Sequence, residues 1–213
     1  MIILKLNSAL KVSIRVLLIF AFALFFLACQ SKTELLSLKF DQDISKLFKG
    51  DKQLKTGRDK FFGLRGYTDN DPDNYTIDGI KLSSYTHPGS ENHNKLLFYI
   101  NGEVNYLGFK YSSVDQEESR RIMADLKTKY PKFQKVAARG DGESFLWDIP
   151  AHQAWIIFYQ QNQLAKDGKK FYESNFIVVK KGTRIANSTD PNGMNIYDYY
   201  SNTMDPALLK FVP

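Results

Sequence analysis

The chain has 213 residues, enough for one ordinary domain with a real core, and its 29 Lys+Arg against 23 Asp+Glu give a formal charge of +6. A single cysteine excludes a disulfide framework, and with the three cations of residues 1–28 set aside the remaining formal +3 does not suggest nucleic-acid binding. The 16 Phe, 12 Tyr and 2 Trp favour strands and packed interiors, and neither an internal repeat nor a low-complexity tract interrupts the chain.

The N-terminal stretch has its own grammar. Lys5, Lys11 and Arg15 precede an unbroken apolar run from Val16 to Ala28, and no acidic residue occurs before Glu34. A positive start, an apolar middle and a small residue at the end are the parts of a secretory signal. Thirteen residues as a helix cover about 20 Å, short of the roughly 30 Å hydrocarbon core, so an uncleaved anchor would have to stretch back past Arg15. Ordinary cleavage after Ala28 would place bulky Phe26 where a small side chain is wanted. Phe26-Leu27-Ala28-Cys29 instead resembles the lipobox of bacterial lipoproteins, with phenylalanine where leucine is usual. The resemblance implies that residues 1–28 are a cleaved signal peptide and that the Cys29 thiol carries a diacylglyceryl group. It further implies a membrane-anchored protein of the bacterial cell envelope, facing the periplasm or the cell exterior. Removing the leader takes away three cations, leaving 26 Lys+Arg against 23 Asp+Glu and a formal +3. A short linker, 29–35, then leads into one domain, 36–213.

Within that domain, Leu35 to Phe40 alternates as a first strand would, and Ile44, Leu47 and Phe48 fall at the spacing of one or two helical turns ending near Gly50. Residues 51–74 are polar and read as irregular. Tyr75 to Leu82 predicts a strand bent at Gly79, and His87-Pro88-Gly89-Ser90 is turn chemistry. Lys95–Ile100 and Glu103–Tyr111 flank Asn101-Gly102, the signature of a two-residue hairpin. That register sets Ile100 against Glu103, Phe98 against Asn105 and Leu96 against Leu107. Both faces are apolar, so the hairpin should be central and covered on both sides.

Ser113-Val114-Asp115-Gln116 reads as a capping box with Ser113 as N-cap, opening a helix over about 114–130. Ile122, Met123, Leu126 and Tyr130 form its apolar stripe, and Pro131 stops it. Strands follow around Ser144–Trp147 and Ala154–Tyr159, joined as a hairpin through 148–153. After a polar loop over 160–170 comes a strand at Phe176–Val179, stopped at Gly182, then a turn at 190–193 and a Tyr-rich tail. The order β-β-β-α-β-β-β predicts an α+β domain, an antiparallel sheet with one main helix packed on it.

Several residue sets carry potential chemistry. Asp69, Asp71 and Asp73 alternate like the first half of a calcium loop, but Asn74 and Ile80 stand where the EF-hand needs glycine and glutamate, and Pro72 intrudes. A solvated acidic turn is the plainer reading. His87, His93 and His152 lack zinc-site spacing. Asp148 and His152 lie close enough to pair as two members of a triad, yet no serine sits in a nucleophile-elbow context. Arg139-Gly140-Asp141 spells an integrin-recognition tripeptide in a turn-like context. Lys166, Lys169, Lys170, Lys180, Lys181 and Arg184 form a basic neighbourhood that would suit anionic lipid or simply a solvated loop. Tyr197, Tyr199 and Tyr200, with Trp147 and Trp155, would line a glycan or peptide groove or else pack the core.

The sequence therefore predicts a lipid-anchored envelope protein that binds a protein or glycan partner without catalysis; the alternative is an envelope hydrolase with a site assembled from distant residues. No catalytic residue, metal ligand or cofactor is assigned, and Cys29 is the one site residue.

Overall fold

The computed structural model describes residues 32–48, 55–102, 104–138, 141–185 and 193–203. Two compact units divide the chain, Met1–Thr33 and Glu34–Pro213. The leader, Cys29, the first linker residues, the expected helix end at Gly50, Arg139-Gly140 and residues 190–192 lie outside the described set. Among the described residues, all the secondary structure belongs to the second unit, apart from Thr33 at its border.

The domain is mainly β with some helix, in rough agreement with the α+β expectation. Its strands in chain order are β1 (Thr33–Glu34), β2 (Lys55–Arg58), β3 (Arg65–Asp69), β4 (Tyr75–Ile77), β5 (Ile80–Lys81), β6 (Lys95–Asn101) and β7 (Asn105–Ser113). Then come helix α1 (Gln116–Lys129), β8 (Gln134–Lys135), β9 (Ser144–Ile149), β10 (Ala154–Leu164), β11 (Lys170–Lys180) and helix α2 (Ile196–Thr203). Among the described residues, seven strands thus precede the main helix and four follow it. Eight build one antiparallel sheet in the order β2-β3-β6-β7-β11-β10-β9-β8, and β1, β4 and β5 form a small separate sheet. After β7, helix α1 crosses one face and delivers the chain to the far edge at β8; β9, β10 and β11 then fold back until β11 pairs with β7 in the middle.

The central hairpin is present and buried on both faces, but its register differs from the expected one. Asn101 pairs with Asn105, Ile100 with Tyr106 and, past a bulge, Phe98 with Phe109 and Leu96 with Tyr111. The two-residue turn would have driven Asn105 against Phe98 into the interior. The observed pairing leaves both asparagines exposed and sets two phenylalanines opposite each other. The bulge places Leu107 as the extra residue, and Gly108 follows at φ +147, where a Cβ would lie 2.0 Å from the Val178 carbonyl oxygen. Above it, the Tyr106 N–H donates to Gln42 O (2.9 Å) and the Asp41 N–H to Tyr106 O (2.8 Å), so the N-terminal segment continues the sheet where β11 ends.

Two apolar layers result. One holds Phe98, Phe109, Trp147, Phe158 and Phe176 with Ile122, Met123 and Leu126 of α1 and Leu35, Ile44 and Tyr75 of the N-terminal part. The other holds Tyr99, Leu146, Ile157, Ile177 and Val179 under Phe62 and Leu64 of the β2–β3 connection and Ile196 and Tyr200 of α2.

Local expectations are corrected in places. Leu35–Ser37 is a 3-10 turn, not a strand, because Glu34 spends its carboxylate locally. It accepts from Leu36 N (3.0 Å), Thr76 Oγ1 (2.8 Å), Asp78 N (3.0 Å) and Gly79 N (2.8 Å), clamping the β4–β5 turn. Ser45–Phe48 is a 3-10 turn, matching the short helical spacing. The stretch read as irregular contains β2 and β3. The loop expected over 160–170 shrinks to five residues because β10 and β11 continue as a paired ribbon from Gln160–Ser174 out to Leu164–Lys170. Helix α1 is capped by Asp115 rather than Ser113. The Asp115 carboxylate accepts from Glu117 N (2.9 Å) and Glu118 N (3.1 Å), while Ser113 still belongs to β7.

Candidate functional site

The β2–β3 connection is the organising piece of a polar concavity. Asp59 Oδ1 accepts from the Phe61 and Phe62 N–H groups (2.8 and 2.6 Å), and Gly63 N donates back to Asp59 O (2.9 Å). This tight turn drops Phe62 into the second apolar layer and leaves Phe61 half-buried beside Tyr159, ring centroids 5.6 Å apart. Asp59 Oδ2 faces Lys110 of β7 at 3.0 Å, and the Lys110 ammonium also donates to the Tyr159 hydroxyl at 3.0 Å. The Asp59 side chain is fully buried and that of Lys110 keeps 16% exposure. Burial would lower the Lys110 ammonium, but attraction to Tyr159 and Asp59 and its hydrogen bonds to both carry it above its ordinary value. Lys110 therefore stays cationic, which denies it a role as base or nucleophile.

Over this floor lies a concavity of about 540 Å³. Arg58, Lys60, Lys95 and Glu173 stand around it with Thr68 and Gln161. A second hollow, about 490 Å³ and mostly apolar, runs along Leu35–Phe40 against Tyr106, Tyr130 and Ile156.

Away from these, a buried polar knot ties α1 to the sheet. Glu118 Oε1 accepts from the Tyr111 hydroxyl, from Asn94 Nδ2 (3.2 Å) and from Ser113 Oγ (3.1 Å), and Asn94 Oδ1 accepts from Val114 N (2.7 Å). Burial raises the Glu118 carboxyl, its hydrogen bonds with Tyr111, Ser83 and Ser113 oppose the rise, and Asp115 adds to it.

The residues singled out by sequence scatter. Asp69 accepts from Tyr75 OH (3.1 Å) and Asp71 N (2.9 Å), while Asp71 and Asp73 accept from Ser84, so these carboxylates are engaged within the protein. His87 stacks on Phe171 at 3.8 Å, His93 contacts Glu91 O at 3.2 Å, and His152 meets Tyr130 edge-on. Asp148 pairs with Lys181, not with His152. The basic residues divide: Lys166, Lys169 and Lys170 sit at one end of β11 and Lys180 and Lys181 at the other, about 33 Å apart along an extended strand. Lys166 pairs with Glu91, Lys169 with Asp167 and Lys180 with Asp41. Asp141 accepts from Asn162. Trp147 is buried and donates to Tyr130 O at 2.9 Å, Trp155 packs on Tyr197, and Tyr200 is fully buried.

Sequence reasoning missed the Asp59–Lys110 pair. One signal was there, since Lys110 is the only charge inside the apolar run Tyr106–Tyr111, and a strand buried on both faces must give such a charge a partner. Among the described residues no helix is long and apolar enough to cross a membrane, and no group of three His, Cys, Asp or Glu is placed to hold a metal ion. Set against protein-family models, curated proteins and solved structures, the chain matches none.

Proposed function

We propose that this is a lipoprotein of the bacterial cell envelope, held in the membrane through Cys29 and facing the periplasm or the cell exterior, whose domain binds a ligand without transforming it. The carrying observation is Phe26-Leu27-Ala28-Cys29 at the end of an unbroken apolar run, with the sole cysteine of the chain at its boundary. Several acyl chains on one cysteine give stable anchoring where a single chain does not. The tether is short: five residues lead from Cys29 to Glu34, at most about 18 Å of extended chain, and Glu34 is tied down by four hydrogen bonds. The domain is thereby kept close to the bilayer surface.

Binding rather than catalysis is supported by the state of the charged groups in the concavity. Both Asp59 oxygens are occupied, by the Phe61 and Phe62 amides and by Lys110, and Lys110 is held as ammonium and so is no general base. In cells fed a labelled fatty acid, the wild-type protein should take up label and fractionate with membranes, and Cys29→Ser should abolish both. Unchanged labelling and fractionation in Cys29→Ser would overturn the anchor.

A further inference from the structure

We propose that the concavity over the Asp59–Lys110 pair binds a small oxyanion, a carboxylate or phosphate carried on a sugar-sized body. This rests on the ligand-binding reading of the domain and names the class of ligand.

The lining is cationic. Four cations (Arg58, Lys60, Lys95 and Lys110) and two carboxylates (Asp59 and Glu173) line the hollow, an excess of two positive charges. Asp59 is consumed by Lys110. The three exposed rim cations make no ion pair among the described residues, so their charge is offered to whatever enters. Arg58 Nε donates to Gly63 O at 2.9 Å, which orients the guanidinium and leaves its terminal NH₂ groups for a planar oxyanion. Lys110 uses two of its three N–H donors on Asp59 and Tyr159 and keeps one. Cations of one sign around a concave, low-dielectric floor reinforce one another's field.

Shape and chemistry set the rest of the ligand. About 540 Å³ lies within the roughly 300–1,000 Å³ of small-molecule sites. Thr68 and Gln161 offer neutral hydrogen-bonding groups, and the half-buried Phe61 ring offers an apolar wall. Hydroxyls beside a ring face, with one acidic group, match that set.

The test uses the full-length protein in detergent and isothermal titration with glucuronate, glucose 6-phosphate and neutral glucose. Saturable binding of at least one of the two anions, without binding of glucose, is expected, and the tighter of the two tells carboxylate from phosphate. Raising salt through about 0.5 M, where the screening length falls to a few ångströms, should weaken it. The double variant Lys60→Glu/Lys95→Glu should lose about tenfold or more in affinity, as reversing rim charges does. Lys132→Glu, outside the hollow, should bind like wild type. Equal binding of glucose overturns the oxyanion class while leaving a ligand pocket. Silence of all three, in protein still labelled at Cys29, overturns the site and leaves the anchor intact. Wild-type affinity in a folded double variant also overturns the proposal.

Discussion

Among the described residues, Glu118 is a carboxylate held without a cation. Its three donors are neutral, and burial lifts its carboxyl above the ordinary 4.5. A raised acid binds its proton more tightly in the folded state, so this group's contribution is fully present below about pH 4.5 and is lost as pH rises through the folded value. Glu118→Gln keeps an acceptor oxygen and removes the charge. Urea unfolding between about pH 4 and 8 should then show wild type losing stability relative to Glu118→Gln as pH rises. Glu118→Ala, which leaves the Tyr111 hydroxyl only the long contact to Ser83 O at 3.5 Å and takes an acceptor from Ser113 Oγ, should cost about 1–3 kcal/mol at any of these pH values. A flat difference between wild type and Glu118→Gln would mean the carboxyl is not raised.

At the scale of elements, α1 shows how a sound local signal is redirected by its neighbours. Ser113 and Gln116 have the spacing of a capping box, but Ser113 remains in β7, and Gln116 Nε2 donates to Tyr172 O at 2.6 Å. Asp115, two residues later, takes the free helix amides. Asp115→Ala should therefore cost about 0.5–2 kcal/mol and speed hydrogen exchange at Glu117 and Glu118. Ser113→Ala should leave those amides protected, because its hydroxyl bonds Glu118 and the Asp115 backbone but not the Glu117 and Glu118 amides. The reverse ranking would restore Ser113 as the cap. Strands β2 and β3 were illegible for a different reason. Lys55-Thr56-Gly57-Arg58 lies at the sheet edge with little burial, so it carries no apolar alternation, and charge on an edge strand is what discourages pairing with another chain. The same holds for Gln160–Leu164, which is strand only because β11 supplies hydrogen bonds to it.

The whole molecule depends on closing both faces of one sheet, and the second closure is made by a short helix. In α2, Ile196 and Tyr200 lie one turn apart and are both fully buried. Asn195 caps it, accepting from Asp198 N at 2.8 Å, and the Ile196 N–H donates to Thr183 O at 2.9 Å. Tyr200→Ala should cost about 3–5 kcal/mol, the scale of deleting a buried aromatic ring. Tyr200→Phe, losing only the bonds to Ser144 and Phe158 O, should cost about 0.5–1.5 kcal/mol. Denaturant midpoints that leave Tyr200→Ala like wild type would mean α2 does not close that face.

The sequence by itself determined the central hairpin's existence, the main helix and its apolar stripe, and the buried cores of β9, β10 and β11. Each carries its signal within its own residues, as period, turn or stop. It also contains the whole case for Cys29, since a processing signal is read from an extended segment and needs no fold. Tertiary structure alone decided the hairpin register, where burying Asn105 would have been the cost of the simplest turn, and the pairing of β7 with β11 across some sixty residues. It also decided the candidate site. Lys110 showed that a partner was required; which partner depended on a turn at Asp59, fifty-one residues earlier, being folded beneath Tyr159. Contacts between distant residues leave no period in the chain, because the geometry that joins them exists only after the sheet has formed.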